Sequence, residues 1–183
     1  MKFIATALEA CYIIEPTIIS DERGSFMEVF NENIFQEKTG KTIHFVQDNQ
    51  SFSKKGVLRG LHYQTGENAQ AKLVRVLEGK VLDVAVDIRP ESKTYGQYVS
   101  VLLTAENQKQ LFIPRGFAHG FVVLSDTAVF FYKCDNFYNK ESEGGLMYND
   151  LTVNIDWQFP ESEMIISEKD KILPTLENAK KAW

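Results

Sequence analysis

Cysteine is scarce in this chain. The two cysteines, Cys11 and Cys134, stand far apart and in no ligand or disulfide spacing. That excludes a disulfide-stapled secreted scaffold and a cysteine-based metal knuckle, and it suits a reducing compartment. Basic charge is not in excess either: 20 lysines and arginines stand against 25 acidic residues, for a net charge of −5. A general nucleic-acid binder shows a basic surface, so no nucleic-acid partner is expected, although a local Arg/Lys cluster around a phosphate is compatible with this balance. No apolar run approaches the ~18 residues of a membrane span. The N-terminal MKFIATALEA is too short and too polar for a secretory leader. No membrane association and a cytoplasmic location are therefore expected. Repeats, low-complexity tracts and linker-like composition shifts are missing too. One domain over residues 1–183 is expected, large enough to bury a core without staples.

Helix signals are also few. Asn31 or Asn33 suits the cap of a short helix ending near Gly40, and the segment from Ser167 onward has room for one or two short helices around Pro174. The dominant texture is short β-rich runs between turn residues. Leu73–Leu77 and Lys80–Ile88 flank Glu78-Gly79, which reads as a hairpin turn. In the second run Leu82, Val84, Val86 and Ile88 share one face, while Val81, Asp83, Ala85 and Asp87 share the other. Val99–Leu103, Leu111–Ile113, Gly120–Leu124, Ala128–Cys134 and Val153–Trp157 read as further strands. Many evenly spaced strands with little helix indicate an all-β sandwich, barrel or jelly roll with a few short peripheral helices.

Two glycine-punctuated segments stand out: GVLRGLHYQ over 56–64 and IPRGFAHGF over 113–121. Each delivers a histidine, His62 and His119, and the chain has three in all. Histidine serves as a metal ligand or as a proton carrier near neutral pH. The segments resemble the two half-motifs of a cupin, a small jelly-roll barrel. The metal-binding form of the first half-motif reads Gly-x-x-x-x-x-His-x-His. Gly56 and His62 have that spacing, but Gln64 stands where the second histidine belongs. Pro114, Gly116 and His119 match the second half-motif. Two histidines and a glutamine are a poor divalent site, so no metal is expected. The bland reading is a pair of satisfied core histidines.

The resemblance extends further. RGLHYQ, AQAKLVRVLEGKVLDVAVDIR, LTAENQKQLFIPRGFAHGFVVLS, YKCDNFYNKESEGGLMYND and ISEKDKILP occur in this order. From about Ile14 to Leu176 the chain resembles the dTDP-4-dehydrorhamnose 3,5-epimerase family. Departures at Lys93, Lys140 and Thr65–Asn68 fall in expected loops. The resemblance implies a dTDP-4-keto-6-deoxyhexose substrate whose C3 and C5 protons are acidified by the C4 ketone. Inversion then needs a base on one face, an oxyanion stabiliser, and an acid on the other face, with no cofactor.

His62 is the candidate base. The resemblance implies Asp170 as its orienting carboxylate, with Asp83 the rival, since an acid among small apolar residues calls for a reason. Lys72, opening the strand LVRVL, is the candidate oxyanion stabiliser, and His119 is expected to add a second hydrogen bond there. Tyr132 shares a strand face with Ala128, Phe130 and Cys134, and the resemblance makes it the acid from the far side. Arg59 is suited to grip the pyrophosphate with a bidentate guanidinium. The resemblance adds Arg23, Phe26 and Glu28 serving the neighbouring subunit of a homodimer that exchanges N-terminal strands. It also adds Gln47 and Asn49 as amide partners, Tyr138 stacked on thymine, and Glu143 and Lys169 around the ligand. Alternatives are a 3- or 5-only epimerase, a 3,4-ketoisomerase, and a non-catalytic sugar-nucleotide-binding cupin.

Overall fold

β-Branched and aromatic residues, alternating with polar ones or apolar throughout, build most of the fourteen strands. The computed structural model describes the whole chain, Met1–Trp183. In chain order it runs β1 (Lys2–Ala5), β2 (Tyr12–Glu15), β3 (Ile18–Asp21), β4 (Gly24–Met27), α1 (Glu32–Thr39), β5 (Gln47–Lys54), β6 (Val57–Gln64) and β7 (Lys72–Glu78). It continues through β8 (Lys80–Asp87), β9 (Tyr98–Thr104), β10 (Gln110–Ile113), β11 (Phe117–Val123), β12 (Thr127–Cys134), β13 (Glu143–Gly145), β14 (Ile165–Ile166) and α2 (Glu168–Lys171). One sheet has the order β1-β2-β10-β7-β12-β5, and the other β13-β6-β11-β8-β9 with β14 alongside β6. The two face each other as a cupin-type jelly roll.

Leu111, Val74, Phe130 and Ala128 of the first sheet meet Val81, Ala85, Phe121 and Leu103 of the second in the core between them. The other face of the second sheet is also apolar. Leu82, Val84, Val86, Leu58 and Val122 are covered there by Leu146, Trp157, Leu176 and Ala182 of the C-terminal segment. This is why β8 alternates yet is buried on both faces. The outer face of the first sheet receives Phe35 of α1 and Ile43 against Leu73 and Phe112. Asn31 caps α1 by accepting the Ile34 N–H, and Gly40 closes it with a left-handed φ of 68°. The hairpin β3–β4 pairs only with itself.

Two expected elements differ. Glu78-Gly79 does not close a hairpin: β7 pairs with β10 and β12, whereas β8 pairs with β11 and β9. The turn crosses from one sheet to the other, and Gly79 makes it at φ +75°, where a Cβ would strike the Thr127 carbonyl. Val153–Trp157 is not a strand. Asp150 Oδ1 accepts the N–H groups of Thr152 and Val153, Oδ2 accepts that of Leu176, and Asn154 turns at φ +50°. The aspartate's local turn outcompetes the strand preference of the valine and isoleucine.

Candidate active site

The two histidine segments become neighbouring strands. β6 pairs with β11, His62 stands opposite His119, and the register shifts between His119 and Phe121. Glycine permits this approach. Gly60 adopts φ +117°, and a Cβ there would lie 2.7 Å from both Gly120 Cα and the His119 carbonyl. The irregularity turns the Gly60 N–H toward Asp170 Oδ2 at 3.2 Å. Asp170 arrives from α2, whose N-cap Ser167 accepts the Asp170 N–H through its Oγ at 3.1 Å. β14 docks parallel to β6 and carries that helix to the cleft.

The result is a dyad. His62 Nε2 donates to Asp170 Oδ1 at 2.7 Å. Burial alone would raise the Asp170 carboxyl, but the His62 hydrogen bond and charge, the Gly60 amide and Ser167 outweigh it and hold the group below its usual range. A carboxylate can only accept, so in the neutral ring the proton sits on Nε2 and Nδ1 of His62 keeps its lone pair. Asp83 is not the His62 partner. Asp83 Oδ2 instead takes His119 Nε2 at 3.0 Å.

The dyad lies in a cleft of about 840 Å³ between the sheets. Tyr132, on β12 of the opposite sheet, faces it. Burial raises its phenol above the usual range, with Cys134 adding and Arg59 opposing, so it keeps a proton to give. Lys72 sits on β7 with Nζ 3.4 Å from the His62 carbonyl and 5.9 Å from the Tyr132 ring centre. Burial lowers its ammonium, and Cys134 and Asp83 push the other way. A poorly solvated ammonium gains most from an anion forming beside it.

The rim is polar. Arg59 Nε donates to Ser53 Oγ at 3.1 Å, and the guanidinium makes no ion pair within the chain. Gln47 donates to Asn49, and its Oε1 accepts the Tyr138 N–H. Glu143 accepts from the Tyr138 hydroxyl at 3.2 Å and from Lys169 at 2.6 Å. Burial would raise the Glu143 carboxyl, and these two partners bring it down.

Eleven of the fourteen candidate residues thus line one cleft. Arg23, Phe26 and Glu28 do not. Arg23 pairs with Asp21 on the exposed β3–β4 hairpin, Phe26 is 70% exposed, and Glu28 bonds Asn31. Gln64, in the position of a second motif histidine, uses Oε1 to accept the Asn139 N–H at 2.8 Å. It holds a loop, and no group of three or more His, Cys, Asp or Glu side chains converges as a metal site would need. Sequence reasoning missed Ser167 and the Gly60 amide. The signal for Ser167 was present: Ser-Glu-Lys-Asp has the spacing of a capping box.

A model of the family described as dTDP-4-dehydrorhamnose 3,5-epimerase matches residues 5–178. The chain belongs to that family. The enzyme of that name from Salmonella typhimurium is 53% identical over 179 residues, 98% of this chain and 97% of the relative. The crystal structure of the Elizabethkingia anophelis enzyme superposes with a TM-score of 0.96 at 59% identity, covering 100% of this chain and 99% of that one. A Legionella pneumophila 3,5-epimerase in complex with dTDP-4-keto-L-rhamnose superposes with a TM-score of 0.92 at 50% identity, covering 97% and 93%. Membership makes the chain an enzyme of the isomerase class.

Proposed function

We propose that this epimerase inverts C3 and C5 of dTDP-4-dehydro-6-deoxy-D-glucose to give dTDP-4-dehydro-L-rhamnose, without metal or redox cofactor. The observation that carries the reading is the opposition of His62–Asp170 on one wall to Tyr132 on the other, with Lys72 between. His62 Nδ1 removes a proton next to the ketone, and the Asp170 carboxylate supports the imidazolium that forms. The Lys72 ammonium meets the charge developing on O4. The Tyr132 hydroxyl returns a proton to the opposite face, which inverts the centre. Arg59 grips the pyrophosphate, Tyr138 stacks on the thymine, and Gln47, Asn49, Glu143 and Lys169 complete the rim.

The same reading makes the protein a cytoplasmic homodimer of residues 1–183, one domain per copy, serving the synthesis of a rhamnose-containing surface polysaccharide. The β3–β4 hairpin supports the dimer. Ile19 and Phe26 are 62% and 70% exposed there, and a small apolar ribbon is unstable alone in water. Exchanged onto a second copy, it brings Arg23, Phe26 and Glu28 to the neighbour's cleft. Light scattering that finds a monomer at working concentration refutes the exchange.

Reduction of the product with borohydride, followed by hydrolysis, tests the stereochemistry. Recovery of L-rhamnose supports double inversion. Recovery of only D-quinovose and D-fucose shows that neither centre was inverted.

A further inference from the structure

His119 lines the same cleft beside His62 but is built differently. Its side chain is 7% exposed, against 33% for His62. It stacks on Phe130 at a centroid distance of 6.0 Å. Nε2 is committed to Asp83 Oδ2 at 3.0 Å. Asp83 is fully buried, and its second oxygen, Oδ1, has no partner. An orphaned buried carboxylate oxygen is costly, so the fold retains this acid at a penalty. His119 Nδ1 makes no hydrogen bond within the chain and is open to the cleft.

We infer that Asp83 holds His119 in the neutral Nε2–H tautomer, so that His119 presents an acceptor, Nδ1, to the substrate hydroxyl next to the ketone. The inference rests on the epimerase reading for the identity of that hydroxyl. A carboxylate oxygen accepts and does not donate, so the ring proton sits on Nε2. Burial pulls the His119 imidazolium below its usual range. Asp83 opposes this, and Lys72 and His62 reinforce it. Every proton that His62 takes therefore disfavours a second one on His119. With Nδ1 unprotonated, His119 cannot donate to the enolate oxygen, which leaves that task to Lys72. On a 4-keto-6-deoxyhexose the ketone has one hydroxyl neighbour, at C3, because C5 carries the methyl group and the ring oxygen. An acceptor beside the group that faces O4 meets that hydroxyl. His119 thereby selects sugars with a C3 hydroxyl, and Asp83 is its positioning residue.

Long-range proton–nitrogen NMR of protein labelled with 15N-histidine tests this directly. The His44 and His62 signals are assigned with His44→Gln and His62→Asn. The expected His119 pattern in the unsubstituted protein, free and with dTDP, is a pyridine-type Nδ1 and a pyrrole-type Nε2. A protonated Nδ1 at neutral pH overturns the proposal. In Asp83→Asn the amide donates to Nε2, and the ring proton is expected to move to Nδ1. Deuterium exchange at C5 then compares dTDP-4-keto-6-deoxyglucose with its 3-deoxy analogue. The unsubstituted enzyme is expected to favour the hydroxylated sugar in kcat/KM by about 10- to 100-fold, and His119→Phe, which leaves neither donor nor acceptor facing that hydroxyl, to bring the ratio near unity. Equal losses on both sugars overturn the selecting role and leave the epimerase reading intact. Absence of exchange from either sugar counts against the epimerase reading alone, and the tautomer is still decided by the NMR pattern.

Discussion

Asp170→Asn changes one atom and inverts the logic of the dyad. Asp170 accepts from His62 Nε2 at 2.7 Å on one oxygen and from the Gly60 N–H at 3.2 Å on the other. An asparagine has one acceptor and one donor end. Pointing its NH₂ at Gly60 sets two donors against each other. The stable arrangement keeps the amide oxygen on Gly60 and donates from Nδ2 to His62 Nε2. That forces the His62 proton onto Nδ1, the nitrogen facing the substrate. The base is lost although both hydrogen bonds survive. The expected fall in kcat is about 10³- to 10⁴-fold, or about 4–5.5 kcal/mol of transition-state stabilisation. Thymidine diphosphate affinity, measured by calorimetry, should hold within about threefold, because loss of a group acting only in the transition state leaves ground-state binding alone. A kcat reduced by less than tenfold, or a nucleotide affinity that collapses with it, shows that Asp170 does not act by setting the His62 tautomer. The substitution also reports on stability. The folded Asp170 carboxyl is held below its unfolded value. Its contribution is therefore present above the unfolded pKa of ~3.9 and is lost as pH falls through the folded value. The gap in denaturation midpoint between the parent and Asp170→Asn should close across that acid window.

Tyr132→Phe removes the acid and leaves the base, so NMR in heavy water should show C3 and C5 exchange continuing while inversion falls by about 10²- to 10⁴-fold; parallel loss of exchange and inversion contradicts the assignment. Lys72→Met should lower kcat by about 10²- to 10³-fold in a steady-state assay with little change in dTDP affinity, and a pure KM effect points to a binding role instead. Gly60→Ala places a Cβ 2.7 Å from the His119 carbonyl at a φ of +117°, so thermal denaturation should show a loss of at least about 2 kcal/mol; an unchanged midpoint shows that the strands can move apart.

Strands β7–β12 were legible because their β-branched and aromatic runs, bounded by turn residues, are local signals, whereas β1–β4, β13 and β14, of two to four residues each, are too short to show a period. Which strands pair is not local. Glu78-Gly79 reads the same whether it joins neighbours or crosses between sheets, and only the pairing of β7 with β10 and β12 decides. Val153–Trp157 shows the converse, a side chain three residues upstream, Asp150, capturing the backbone that a strand would have used. In the site, the meeting of His62 and His119 followed from their two motifs. The choice between Asp83 and Asp170 did not. Both are acids at a distance in sequence, and the docking of β14 and α2 against β6 settles it. Gln64 was legible as a missing ligand, but its role in holding Asn139 depends on a loop 75 residues away.

Double inversion at this site requires proton abstraction at both carbons flanking the ketone. Proton NMR of the purified protein with dTDP-4-keto-6-deoxyglucose in heavy water, with no added metal or nicotinamide, measures it. Enzyme-dependent loss of both the C3 and the C5 proton signals, abolished by His62→Ala, is expected. Signals that persist at either carbon, or exchange that survives His62→Ala, contradict it.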